Sequence, residues 1–123
     1  MDNKSYKERL IDRSYAFSVH IIKFINTIDK HDFSKEIIAK QLIRSATSIG
    51  ANIIEAQAGS SRKDFTNFIS HALKSANETI YWLRLFRESF LDNQAEKINF
   101  LLEEAIQLGK ILGASIISLK NKR

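Results

Sequence analysis

The sequence holds no cysteine and no proline, only four glycines and a single tryptophan in 123 residues. Without cysteine there is no disulfide, no thiolate nucleophile and no cysteine site for zinc. That fits a reducing compartment, and a cytoplasmic location is expected. Without proline, no residue is barred from a long helix by a missing N–H or a fixed φ. The glycines, at positions 50, 59, 109 and 113, form no phosphate-cradling loop. The opening segment MDNKSYKERLIDRSYAF lacks the apolar core of a signal peptide, and no run of 18 apolar residues exists to span a membrane. The three histidines, at 20, 31 and 71, fall in neither Glu-x-x-His nor His-Glu-x-x-His. The di-iron bundle and zinc-protease patterns therefore fail. No cofactor is expected, and the chain reads as a non-enzyme.

What is present is apolar periodicity. Hydrophobic residues make up 44% of the chain, enough for one core, and the length suits one domain spanning residues 1–123. A formal charge of +5 and a pI near 9.6 permit attraction to polyanions, and equally a surface of solvated lysines.

Four helices are expected, over about 5–28, 35–58, 62–89 and 94–119. In the first, Leu10, Phe17, Ile21, Phe24 and Ile28 recur at helical spacing, widened by Ile11, Tyr15, Ile22 and Ile25. Ser34, or alternatively Asp32, caps the second, whose inner face is Ile38, Leu42, Ala46, Ile49 and Ile53. Gly50 within it is either a tolerated defect or the mark of a neighbouring backbone close by. Ser61 and Asp64 resemble a capping box opening the third helix, which carries the stripe Phe65, Ile69, Ala72, Ala76, Ile80 and Leu83. Asn93 and Glu96 cap the fourth, with Ile98, Leu102, Ala105, Leu112, Ile116 and Leu119 on one face. Ala105, Gly109 and Gly113 are small residues that would admit a closely packed helix. Short turns between such helices predict an all-α, antiparallel up-down-up-down four-helix bundle.

The third helix has a second line. His71, Ser75, Glu78, Trp82 and Leu85 run roughly opposite the core stripe, flanked by Phe68 and Phe86. A wide core could absorb the two phenylalanines; a subunit interface covers the whole line, with Trp82 as an anchor. On the second helix Gln41, Arg44, Ser48 and Glu55, with Asn52 at the edge, form a polar line. In a hairpin turning at Gly59–Ser61, Arg44 comes within a turn of Glu78. An Arg44–Glu78 pair, within or between subunits, is expected; the alternative is two solvated charges. His71, Ser75 and Glu78 point outward in parallel, so they do not converge on a reacting atom.

Gln41, Arg44, Ser48, Asn52, Glu55, Ser75 and Glu78, with Ser61, Asp64, Phe65, Phe68 and Ala72 between, carry a family pattern. They resemble the bacterial four-helix-bundle family encoded by intervening sequences in large-subunit ribosomal RNA genes, often labelled a ribosomal protein. Ala56, Gly50, Gly59 and Lys74 depart from that family's usual glycine, proline, arginine and glycine. The chain is also similar to the related accessory variability protein of diversity-generating retroelements. That resemblance implies a homo-oligomer, a pentameric ring, whose basic surface binds RNA or DNA and a reverse transcriptase, with no membrane partner. It makes Lys4, Lys7, Arg9, Arg13, Arg62, Lys63, Arg84, Lys110, Lys120, Lys122 and Arg123 the nucleic-acid contacts to test. An adaptor that docks a larger enzyme, such as a reverse transcriptase, is the alternative function.

Overall fold

The computed structural model describes residues 5–29, 31–90 and 94–121, which form four helices. These are α1 (Tyr6–Thr27), α2 (Phe33–Gln57), α3 (Arg62–Ser89) and α4 (Ala95–Asn121). Each packs on its sequence neighbours, and α4 returns against α1, closing an antiparallel bundle. With 28 residues, α3 runs about 42 Å at 1.5 Å per residue.

The helix starts follow from side chains that accept the first free N–H groups. Ser5 and Glu8 make a reciprocal capping box on α1. On α2 the cap is Asp32, not Ser34, so the helix begins ahead of residue 35. The Asp32 carboxylate accepts from the Lys35 N–H at 3.1 Å and from the Ser34 hydroxyl at 2.8 Å. A charged acceptor at the positive end of a helix outcompetes a hydroxyl. Ser61 caps α3 by accepting from the Asp64 N–H, but the box is not closed: the Asp64 carboxylate takes the Ser60 hydroxyl at 2.9 Å. The expected Asn93 cap lies outside the described residues.

The core follows the predicted stripes in the main, with Leu101 and Leu108 added on α4 and with Ile38, Phe65, Ile80 and Ile116 only half-buried at its edges. Phe17, Ile21, Leu42, Ile49, Ile53, Ile69, Leu83, Ile98, Leu108 and Leu112 are fully buried. The widening of the α1 stripe is narrower than its spacing suggests. Tyr15 is 72% exposed and Ile22 40%, because they lie on the side of α1 turned away from the other helices.

Two contacts between small residues fix α2. A Cβ built on Gly50 would stand 3.3 Å from Ser14 Oγ and 3.6 Å from the Ser14 carbonyl carbon of α1, so this glycine marks a close helix approach. Ser14 is itself buried and donates to the Ile11 carbonyl. On the other flank, the buried Thr79 hydroxyl lies 3.0 Å from Ser45 Oγ and 2.7 Å from the Ser75 carbonyl. Ser45 Oγ reaches the Leu42 carbonyl, so this polar junction between α2 and α3 is satisfied. The stripe Ala105–Gly109–Gly113 marks no comparable crowding inside the chain. A Cβ on Gly109 would sit at an ordinary 4.0 Å from Ala76, and one on Gly113 would meet nothing. Across the α1–α4 seam, Arg13 makes a two-pronged bond to Glu104, at 2.6 and 2.9 Å, which raises the arginine pKa further. Among the described residues, no helix is long and apolar enough to cross a membrane.

Three outcomes follow for stability. Gly50→Val presses two methyl groups into Ser14 and should destabilise by about 1–3 kcal/mol, seen as a lower urea midpoint at unchanged slope. Arg13→Met should lose less than about 1 kcal/mol, since the pair is partly solvated, and the loss should shrink in high salt. The Asp32 carboxyl is held below its ordinary value of 3.8, chiefly by the Lys35 N–H bond. Its folded pKa being depressed, its contribution is present above that ordinary value and fades as pH falls through the native one. In thermal unfolding across pH, wild type should outlast Asp32→Ala at neutral pH, and the gap should close in acid.

Candidate functional site

The second line on α3 is only partly outward. Phe86 is completely buried, edge-to-face with Phe24 at 5.7 Å and with Phe90 at 4.8 Å. It belongs to the core and offers nothing to a partner: the α1 ring of Phe24 comes alongside and draws it in. Phe68 and Trp82 are half-buried and pack on that core, and Leu85 and Ser75 are half-buried too. His71 and Glu78 are exposed, with the His71 ring 6.3 Å from Phe68.

The Arg44–Glu78 pair does not form within the chain. Glu78 instead accepts from the indole N–H of Trp82 at 2.9 Å, one turn along the same helix. Arg44 points to solvent with no ion pair among the described residues. The rest of the α2 polar line binds its own helix: Ser48 donates to the Arg44 carbonyl, and Asn52 to the Ser48 carbonyl. Gln41 is half-buried and Glu55 exposed.

Exposed apolar side chains also occur on α2, away from the predicted line. Phe33 is 80% exposed, and Ile37 and Ile54 are 42% and 50% exposed. A groove of about 570 Å³ separates α1 from α2, walled by Ile11, Tyr15, Thr47, Ala51 and Ile54, with Asp12 and Glu55 at its sides. The signal was present in the sequence: α2 carries large apolar residues off its core stripe, at Phe33, Ile37 and Ile54.

The basic residues sort by position. The start of α1, the α2–α3 turn and the end of α4 meet at one end of the bundle. Arg62 donates to the Leu119 carbonyl, tying the start of α3 to the last turns of α4. This end holds Lys7, Arg9, Arg62, Lys63 and Lys120, all exposed. Lys7, Lys63 and Lys120 form no ion pair among the described residues. Glu8 and Asp64 share the region, but Glu8 closes a helix cap and Asp64 is engaged by the Ser60 hydroxyl. Arg13 is spoken for by Glu104. Arg84 and Lys110 do not join the group: they lie about 33 Å along α3 from Arg62 and about 15 Å along α4 from Lys120. Lys4, Lys122 and Arg123 lie outside the described residues.

Between these elements is a cavity of about 510 Å³, lined by Tyr6, Lys7, Leu10, Gln57, Phe65 and Leu119, with Ser5, Ile69, Ala114, Ser115 and Ser118 around them. The Gln57 amide nitrogen donates to the Ile53 carbonyl at 2.8 Å, which fixes the amide's orientation. Its oxygen is then buried with no hydrogen-bond partner among the described residues. Periodicity gave no hint of this residue, since a glutamine at a helix end reads as solvated. The histidines are scattered, His20 against Phe100 and His31 against Asp29, and among the described residues no three metal-ligating side chains converge.

Comparison with known proteins agrees with this architecture. The chain is similar to a crystal structure of a protein of unknown function from the S23 ribosomal protein family of Bacteroides thetaiotaomicron VPI-5482. The TM-score is 0.76 at 36% identity, over 87% of this chain and 97% of that one. No curated protein matches. The family model of the 23S rRNA-intervening sequence protein matches residues 7–114. With its four helices, shared fold and a match over most of its length, the chain belongs to the 23S rRNA-intervening sequence protein family.

Proposed function

We propose that this protein is a non-enzymatic, cytoplasmic homo-oligomer that binds RNA or DNA weakly, without sequence preference, through the basic end of its bundle. The observation that carries the reading is the meeting of three separate chain segments at that end. It brings together Lys7, Arg62, Lys63 and Lys120, with Arg9 beside them. Cations at this density release counterions when phosphates replace them, so affinity follows salt rather than sequence. Self-association is supported by exposed apolar side chains on α2, Phe33 and Ile37 near its start and Ile54 near its end, which stand in water in a single chain. A ring of five is the assembly implied by the resemblance to the accessory variability protein. The same side chains favour the second reading, an adaptor that docks a larger enzyme such as a reverse transcriptase.

Polarisation of labelled RNA and DNA across a salt series tests the proposal. The logarithm of the binding constant should fall linearly with the logarithm of salt concentration. Replacing Lys63 and Lys120 together by alanine should flatten that slope by about 2. No binding at low salt would contradict the reading, whereas capture of a host reverse transcriptase by a protein that binds no nucleic acid would favour the adaptor.

A further inference from the structure

On the outer side of α2, Arg44, Ser48, Ala51 and Glu55 follow at steps of four, three and four residues. That spacing keeps them on one face, over about 16 Å of helix. Arg44, Ala51 and Glu55 are exposed, and Ser48 is half-buried. The cation and the acid at the two ends both lack an ion pair among the described residues. Neither has an opposite charge within a turn on its own helix. Positions 40, 41, 47 and 48 around Arg44 hold no acid, and 51, 52, 58 and 59 around Glu55 hold no base. The polar groups between them are already satisfied: Ser48 donates to the Arg44 carbonyl and Asn52 to the Ser48 carbonyl.

We infer that this face is an interface between two copies of the chain, their α2 helices antiparallel about a two-fold axis, with Arg44 of each copy paired to the partner's Glu55. The inference rests on the self-association reading above and gives it a contact and a symmetry. In an antiparallel pair, residues that meet have positions of constant sum. The offset that joins 44 to 55 therefore also joins 48 to 51, so one strip is complementary to itself. The small side chains of Ser48 and Ala51 meet at its centre and let the helices come close. A head-to-tail contact through this face makes one Arg44–Glu55 pair where the two-fold makes two. The same offset sets Ile54, half exposed in the single chain, beside the partner's Thr47 on the flank nearer α1, which draws it out of water. A two-fold contact closes on a pair, so an assembly that uses it holds an even number of copies. A ring of five would use it only to join two rings.

The test is native mass determination at low salt, over a range of concentration, for wild type, Arg44→Glu, Glu55→Arg and an equal mixture of the two variants. Wild type should form a species with an even number of copies. Each variant alone sets like charges against each other at both ends of the strip, and its pairing should weaken at least about tenfold. Both substitutions are at exposed sites and keep good helix formers, so each chain should retain its helicity by circular dichroism. In the mixture every 44–55 contact between unlike chains is again of opposite sign. Pairing should therefore return to within about threefold of wild type, as mixed pairs resolved by mass. Variants that assemble as wild type does, an odd-numbered species alone, or weakened variants that the mixture does not rescue would each overturn the contact while leaving self-association standing. A wild-type monomer at every concentration would end the self-association reading, and this inference with it.

Discussion

The position of α2 depends on small side chains that let it approach a neighbour on each flank. Gly50 meets Ser14 of α1 on one side, and Ser45 meets Thr79 of α3 on the other. These contacts leave little freedom of rotation. A turn of one residue, about 100°, would drive Ile49 or Ala51 into the space that Gly50 leaves for α1, and would break the buried hydroxyl junction with α3. Held in this orientation, α2 buries Leu42, Ile49 and Ile53 and turns Phe33, Ile37 and Ile54 to water. The exposure of these side chains is therefore a consequence of how the core is packed.

The antiparallel path has a second consequence. With an even number of helices of similar length, the start of α1, the α2–α3 turn and the end of α4 come to the same end. Residues remote in sequence thus share one surface, and the Arg62–Leu119 bond holds two of its segments together. The exposed apolar side chains of α2 lie near its start and its end, and the cations gather at one tip of the bundle.

Much of this architecture was legible in the sequence. The stripes of α1 to α4 and the bounds of α3 follow from apolar spacing and from the Ser61 cap. The family motif, read without gaps from Gln41 to Glu78, pointed to the same fold. What periodicity does not carry is the width of the core. Phe86 flanks the second line by helical angle, and Phe24 from α1 draws it into the core, while Tyr15 sits near an apolar stripe and remains in solvent. The Arg44–Glu78 expectation had a sound register but ignored a nearer competitor. Trp82 lies one turn from Glu78 on the same helix and reaches it without bridging to another element. Gln57 was overlooked for a different reason: a buried acceptor without a partner is a property of packing around an atom, and residue type does not reveal it.

The proposal of self-association rests on apolar side chains that α2 presents to water and that a second copy would cover. Native mass determination over a wide range of protein concentration addresses it directly. The account predicts a species at a whole multiple of 14.1 kDa, five copies if the ring implied by the family resemblance forms, persisting at low micromolar concentration. A 14.1 kDa species at every concentration, with Phe33 and Ile54 remaining accessible to solvent, would contradict it.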